Sequence, residues 1–287
     1  MMRLPWPLFL LPPLLVSLLL FVVPQIAFLR SSLFRNVGYG QTGSTLTVEN
    51  YVRFFTDEFY QAALLRTAAL SLIDAAVCLA VGFPIAYRLA RSRSRWRSTW
   101  LTLLVVSSLV TVVIKALGMM ILLSANGPLN QAVLALGLVR EPLKLLNNDV
   151  GVVLGLVHYT LPLVILILFS VLQTIPEDLE AAARTLGAAP WRAVGRVVLP
   201  LAVPGLVAAS LMAFNLAMGA FTSTALLGGG KVLTLPVLIQ RKVVLEVDYP
   251  FAATIAVVLL ASGVLLNVLV LRMALRLRRG APAGTAA

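Results

Sequence analysis

Six long apolar stretches dominate the chain, at residues 8–29, 62–89, 101–123, 150–172, 201–227 and 251–271. At about 1.5 Å per residue each can cross a hydrocarbon core about 30 Å thick. They predict an all-α integral membrane protein with six transmembrane helices in a single domain, residues 1–287. The first stretch follows a short start carrying Arg3, the arrangement of a signal peptide. It is too long for a typical h-region, contains Pro12, Pro13 and Pro24, and lacks a small-residue cleavage site, so a retained first span is expected. Between the stretches the pattern predicts loops at residues 39–44 and around Asn126-Gly127-Pro128. It also predicts short surface helices over 48–55 and 131–137.

The interval over residues 175–201, IPEDLEAAARTLGAAPWRAVGRVVLPL, is patterned differently. Leu179, Ala182, Ala183 and Leu186 repeat at i, i+3, i+4, i+7, one apolar stripe on a short helix. Thr174 and Glu177 have capping-box spacing, Pro176 suits a first helical turn, and Gly187 supplies a left-handed stop. Pro190 can open a second short helix that Pro200 ends or kinks. The first helix is only ~16 Å long. It is too short to span a bilayer and too apolar along one stripe to float free, so it needs a partner with a groove.

Composition agrees with the apolar pattern. The chain is 60% hydrophobic with a mean hydropathy of +0.97, and only 12% of its residues are charged. A soluble domain carries about 25%. A net charge of +12 would suggest nucleic acid in a soluble protein; here it is a topology signal, and no nucleic-acid partner is expected. With six spans, both termini share a side with the arginine run after the second stretch and with residues 175–201. That side holds thirteen basic and three acidic residues, a net +10. The opposite loops hold nine basic and seven acidic residues, a net +2. The positive-inside rule then places both termini of this multi-pass membrane protein in the cytoplasm.

Candidate chemistry is sparse. Gly228-Gly229-Gly230-Lys231 invites a phosphate-loop reading, but Val232 follows where a hydroxyl is needed and Ala225 stands where the first glycine should be. The glycines read as a turn and close-packing element. No protease or hydrolase motif appears, so no catalytic residue, metal ligand or cofactor site is expected and the chain is read as no enzyme. The single Cys78 excludes an intramolecular disulfide and reads as a small buried hydrophobe. His158 and Tyr159 fall within the fourth stretch, where a hydrogen bond to a neighbouring helix is expected. Asp74 and Lys115 lie deep in the second and third stretches. Each costs about 2.5–3.5 kcal/mol at a helix centre, so they should pair, line a water-filled path, or both.

Residues 175–201 resemble the EAA loop of the membrane subunits of ATP-binding-cassette importers. In that pattern Glu-Ala-Ala is followed by three residues, Gly, nine residues, an aliphatic, any residue and Leu-Pro. Gly187, Val197 and Leu199-Pro200 are in register; Ala181 stands at the glutamate position, with Glu180 one residue early. Residues 122–130 (LLSANGPLN), 152–157 (VVLGLV) and 225–230 (ALLGGG) resemble the spermidine/putrescine permease branch, where relatives tend to carry arginine at the position of Lys115. The resemblance implies a MetI-like permease fold with a cytoplasmic EAA coupling helix. Leu179, Glu180, Ala182, Ala183, Leu186 and Gly187 would dock on an ATPase subunit. It implies a second permease, two ATP-binding subunits that carry the ATP and Mg²⁺, and a periplasmic solute-binding protein. A lone ion-coupled secondary transporter or channel is the competing class; the spaced loop and the lack of an acidic relay in the spans weigh against it.

Overall fold

The structure is a computed structural model that describes residues 6–38 and 40–279. Arg3, Tyr39 in the expected outer loop, and the tail beyond Arg279, expected to be disordered, lie outside the described residues. In chain order the elements are α1 (Trp6–Ser31), β1 (Phe34–Asn36), β2 (Thr42–Leu46), α2 (Glu49–Thr56) and α3 (Glu58–Arg91). Then come α4 (Trp96–Leu109), α5 (Val112–Leu123), α6 (Pro128–Ala135), α7 (Asp149–Leu172) and α8 (Glu177–Thr185). A short α9 (Pro190–Ala193) runs through a π-turn (Val194–Val198) into α10 (Leu199–Met218), followed by α11 (Thr222–Gly228), α12 (Leu235–Val244) and α13 (Tyr249–Arg279). Six helical stretches among the described residues are long and apolar enough to cross a membrane. The class is all-α, and the sole sheet described is the small antiparallel hairpin β1–β2 where a loop was expected.

Two spans depart from single-helix expectation. The stretch over 101–123 is two helices, broken where Val110 (φ −66°, ψ 130°) and Thr111 (φ −61°, ψ 147°) are extended. Ser108 Oγ bonds back to the Val105 carbonyl at 2.7 Å, and Val110, Thr111, Val112 and Val113 are β-branched, which together weaken the helix there. The stretch over 201–227 is likewise split: Gly219 closes α10 and α11 begins at Thr222. Pro200 does not end its helix, since α10 runs through it from Leu199 to Met218. The π-turn directly before it, with Leu199 N–H donating to the Val194 carbonyl, makes room for the proline ring.

The described chain divides into two units. One comprises residues up to Leu64 with Val237–Ala261; the other comprises Leu65–Pro236 with residues from Ser262. In the first, the Asn50 amide donates to the carbonyls of Ser32 and Phe34 at 3.2 and 2.8 Å, tying α2 to the hairpin. Phe54 stacks on Tyr60, which meets Phe251 edge-on, and the Lys242 ammonium lies over Tyr60 and Phe251 while pairing with Glu246.

The second unit is built around α7, whose Val152, Leu156, Val164, Leu168 and Leu172 are buried. Buried small residues Gly205, Ala209 and Ala213, at four-residue spacing on α10, allow close helix approach; a Cβ on Gly205 would sit 2.8 Å from Val171 Cβ. Gly155 on α7 gives way to Leu227 of α11, and Gly228 packs under Val232. Gly229 (φ +52°) and Gly230 (φ +74°) make the left-handed turn after α11.

Candidate functional site

Helix α8 starts at Glu177 with Pro176 as its cap residue. The capping box does not form: the Thr174 hydroxyl bonds back to the Val171 carbonyl at 2.8 Å, and Glu177 pairs with Arg93 at 3.1 Å. The helix ends as expected. Gly187 has φ +87°, its N–H donates to the Arg184 carbonyl at 2.9 Å, and the Ala188 N–H reaches the Ala183 carbonyl at 3.0 Å. These two bonds are a Schellman closure. Pro190 opens α9 as its first residue.

Glu180 faces inward and is only 6% exposed. Its Oε1 accepts from Arg91 Nε at 2.7 Å and its Oε2 from the Tyr87 hydroxyl at 2.6 Å. Its ion-pair partner among the described residues is Arg91. Arg91 Nη1 also donates to the carbonyls of Leu172 and Ile175 at 3.2 and 3.1 Å, where α7 runs out of helical N–H donors. One guanidinium therefore joins the ends of α3 and α7 to α8. Arg97 adds a bond to Gln173 at 2.6 Å and lies 5.0 Å over the Phe169 ring. Of the five arginines counted only as topology charge, three hold this loop. The signal for Tyr87 and Arg91 was their i,i+4 spacing at the end of a span, an aromatic and a base on one face.

With Glu180 turned in, α8 and α9 present apolar side chains outward among the exposed charges Glu177, Asp178, Arg184 and Arg192. Leu179, Ala182 and Leu186 are exposed, Leu186 to 89%, and Trp191 to 70%. A 420 Å³ groove beside them is lined by Ala183, Leu186, Gly187, Arg192, Arg196 and Val197.

The two deep charges are not brought together. Thr160 Oγ1 on α7 lies 3.1 Å from both Asp74 oxygens, and Cys78 Sγ is 3.7 Å from Asp74 and 3.0 Å from Thr160. Cys78 is buried as expected, but in a polar cluster. On another face of α7, the Lys115 ammonium lies 5.6 Å from the centroid of Tyr159 and has no hydrogen-bond acceptor among the described residues. Tyr159 thus meets a cation rather than the hydrogen bond expected of it. Arg66 grips Asp149 with bonds of 2.8 and 3.0 Å at the first turn of α7. Together with Asp74–Thr160 and Arg91–Leu172, this ties the parallel helices α3 and α7 at three heights.

Six candidate membrane spans with a short helical loop between the fourth and fifth define a multi-span membrane protein. Residues 82–280 match the family described as "Binding-protein-dependent transport system inner membrane component", and the chain belongs to that family. It is 30% identical to the spermidine/putrescine transport system permease protein PotB of Haemophilus influenzae, over 82% of either chain. It is 32% identical to the Escherichia coli protein of the same description, over 88% of this chain and 92% of that one. The molybdenum transport system permease protein ModB of Mycobacterium tuberculosis is 29% identical over 72% of this chain and 78% of its own. A bacterial ABC transporter importing alginate shares the fold with a TM-score of 0.75, 19% identity and coverage of 94% and 96%. The MetNI methionine ABC transporter gives 0.57, 19%, and coverage of 76% and 94%. The chain is a permease subunit of an ABC importer, and ATP hydrolysis belongs to its partner subunits.

Proposed function

We propose that this permease moves polyamines delivered by a periplasmic binding protein, and that α8 couples transport to ATP hydrolysis. The substrate reading is supported by the relatives at 30–32% identity described as spermidine/putrescine permeases. The coupling reading is carried by one observation: Arg91 joins Glu180 of α8 to the ends of α3 and α7. A rigid joint of this kind transmits displacement that a flexible loop would absorb. In this reading Leu179, Ala182, Ala183 and Leu186 form the face that docks on an ATPase, and Gly187 fixes its end. Glu180 is a positioning residue that holds this face outward. A second permease completes the membrane part, and both termini and α8 are cytoplasmic.

One observation favours a second reading, an anionic cargo: Lys115 is a buried cation with no acidic partner among the described residues, and a molybdenum permease is among the relatives. Uptake of labelled spermidine, putrescine and molybdate by the complete importer with its binding protein separates the two. Polyamine uptake competed only by polyamines is expected; molybdate uptake alone would overturn the substrate reading.

A further inference from the structure

We propose that the ring face of Tyr159 is an alkylammonium subsite, and that Lys115 of the same chain occupies it when cargo is absent. The proposal rests on the polyamine reading and goes beyond it by naming a place and an internal competitor. Lys115 is 7% exposed, and its ammonium nitrogen is buried with no acceptor among the described residues. Its attraction is instead to the aromatic face 5.6 Å away, the geometry of a cation–π contact. The acid that could neutralise it, Asp74, is committed to Thr160 and Cys78 on another face of α7.

Four methylenes ending in an ammonium are also the chemistry of one end of a polyamine, so a ring that holds one can hold the other. The site can exchange occupants for two structural reasons. Tyr159 is half-buried and its neighbour His158 is exposed, so the ring lies at the edge of this helix rather than sealed in the core. The span that carries Lys115 is also interrupted between α4 and α5 at Val110–Thr111, about one turn before the lysine, which gives the first turn of α5 freedom to carry it away. Non-helical backbone at membrane depth is tolerated where it is covered by protein or lines a water-filled cavity.

The test uses the complete importer in proteoliposomes with Lys115→Cys, the only other cysteine of this chain being the buried Cys78. Spermidine at about ten times its dissociation constant should slow labelling of the introduced thiol about tenfold. Molybdate should leave the rate unchanged. Labelling with an aminoethyl thiosulfonate restores an ammonium and should suppress spermidine uptake by the complete importer with its binding protein, whereas a neutral methyl thiosulfonate should not. If Lys115→Cys fails to assemble, Tyr159→Leu and Tyr159→Phe decide. Uptake at sub-saturating spermidine should fall about tenfold in the first and stay near wild type in the second, which keeps the aromatic face. Equal labelling with and without spermidine in a complex that takes up spermidine, or equal uptake by the leucine and phenylalanine variants, overturns the subsite alone. Protection by molybdate also overturns it. A wild-type importer that takes up no polyamine overturns both the subsite and the substrate reading.

Discussion

Replacing Glu180 by alanine strands the Arg91 guanidinium, which keeps its bonds to the Leu172 and Ile175 carbonyls but loses its counter-charge. Breaking a largely buried pair costs about 3–5 kcal/mol, and the surviving carbonyl bonds favour the lower end. We expect Glu180→Ala to lower the thermal stability of the purified complex and to uncouple ATP hydrolysis from uptake. The double change Glu180→Met with Arg91→Met should be milder than Glu180→Met alone, because it strands no charge. Arg184→Ala on the exposed side of α8 should change stability by no more than about 0.5 kcal/mol. A double mutant as damaged as the two singles added together would remove Arg91 as Glu180's partner. Asp74→Asn and Lys115→Met give the contrasting case. They share no partner in the structure, so their effects on assembly should add within about 0.5 kcal/mol. Sequence could mark Asp74 and Lys115 as unusual, because an ionisable group inside an apolar run is costly wherever it points, and Glu180 by its offset from the loop pattern, but Arg91 only as topology charge. It could not pair them: Glu180 and Arg91 lie 89 positions apart, and only the parallel packing of α3 and α7 brings them together.

At the level of elements, the stop at Gly187 and the start at Pro190 were legible because each rests on the backbone preference of one residue. The breaks at Val110–Thr111 and Gly219 were not, since both lie inside continuous apolar runs where hydropathy carries no sign of an interruption. The π-turn was also hidden, because Pro200 is compatible with a break, a kink or a widened turn until the packing is known. Gly187 separates backbone from contact effects cleanly, since nothing lies within 4 Å of where its Cβ would stand. An L-residue in the left-handed region costs about 1–2 kcal/mol, less for asparagine and more for a β-branched side chain. Coupled uptake should therefore fall in the order Gly187, Asn, Ala, Val. Equal activity of Asn and Val would show that the closure of α8 does not matter to coupling. Pro200→Ala restores the N–H that a regular helix needs and lets the π-turn regularise by one residue. That shift would turn α9 by about 100° relative to α10, carrying Trp191 and Arg192 with it. Uptake should drop although helix propensity rises.

For the whole molecule, the proposed orientation rests on electrostatics alone, a net +10 against +2 under the positive-inside rule. The count of six spans was legible because length and apolarity are properties of the chain itself, but the third and fifth fall at Val112–Ala135 and Pro190–Met218 rather than 101–123 and 201–227. The division of the described residues into two units was not, since it depends on packing among segments far apart in sequence. Single cysteines test the orientation, and the structure chooses where to put them. Ser94 and Thr185 are exposed on the arginine-rich side, and Ser44 and Lys231 on the other. Lys231 is preferred to the neighbouring Gly229, whose φ of +52° and close approach to the Asn147 side chain would make a cysteine there disturb the turn it reports on. Background from Cys78 should be low because its thiol is buried between Asp74 and Thr160. With a membrane-impermeant maleimide on intact spheroplasts, cysteines at 44 and 231 should label, and those at 94 and 185 only after the membrane is opened. Labelling of position 185 from outside would place α8 opposite the ATPases. The +10 face would then be periplasmic, and the Arg91–Glu180 joint could not serve coupling.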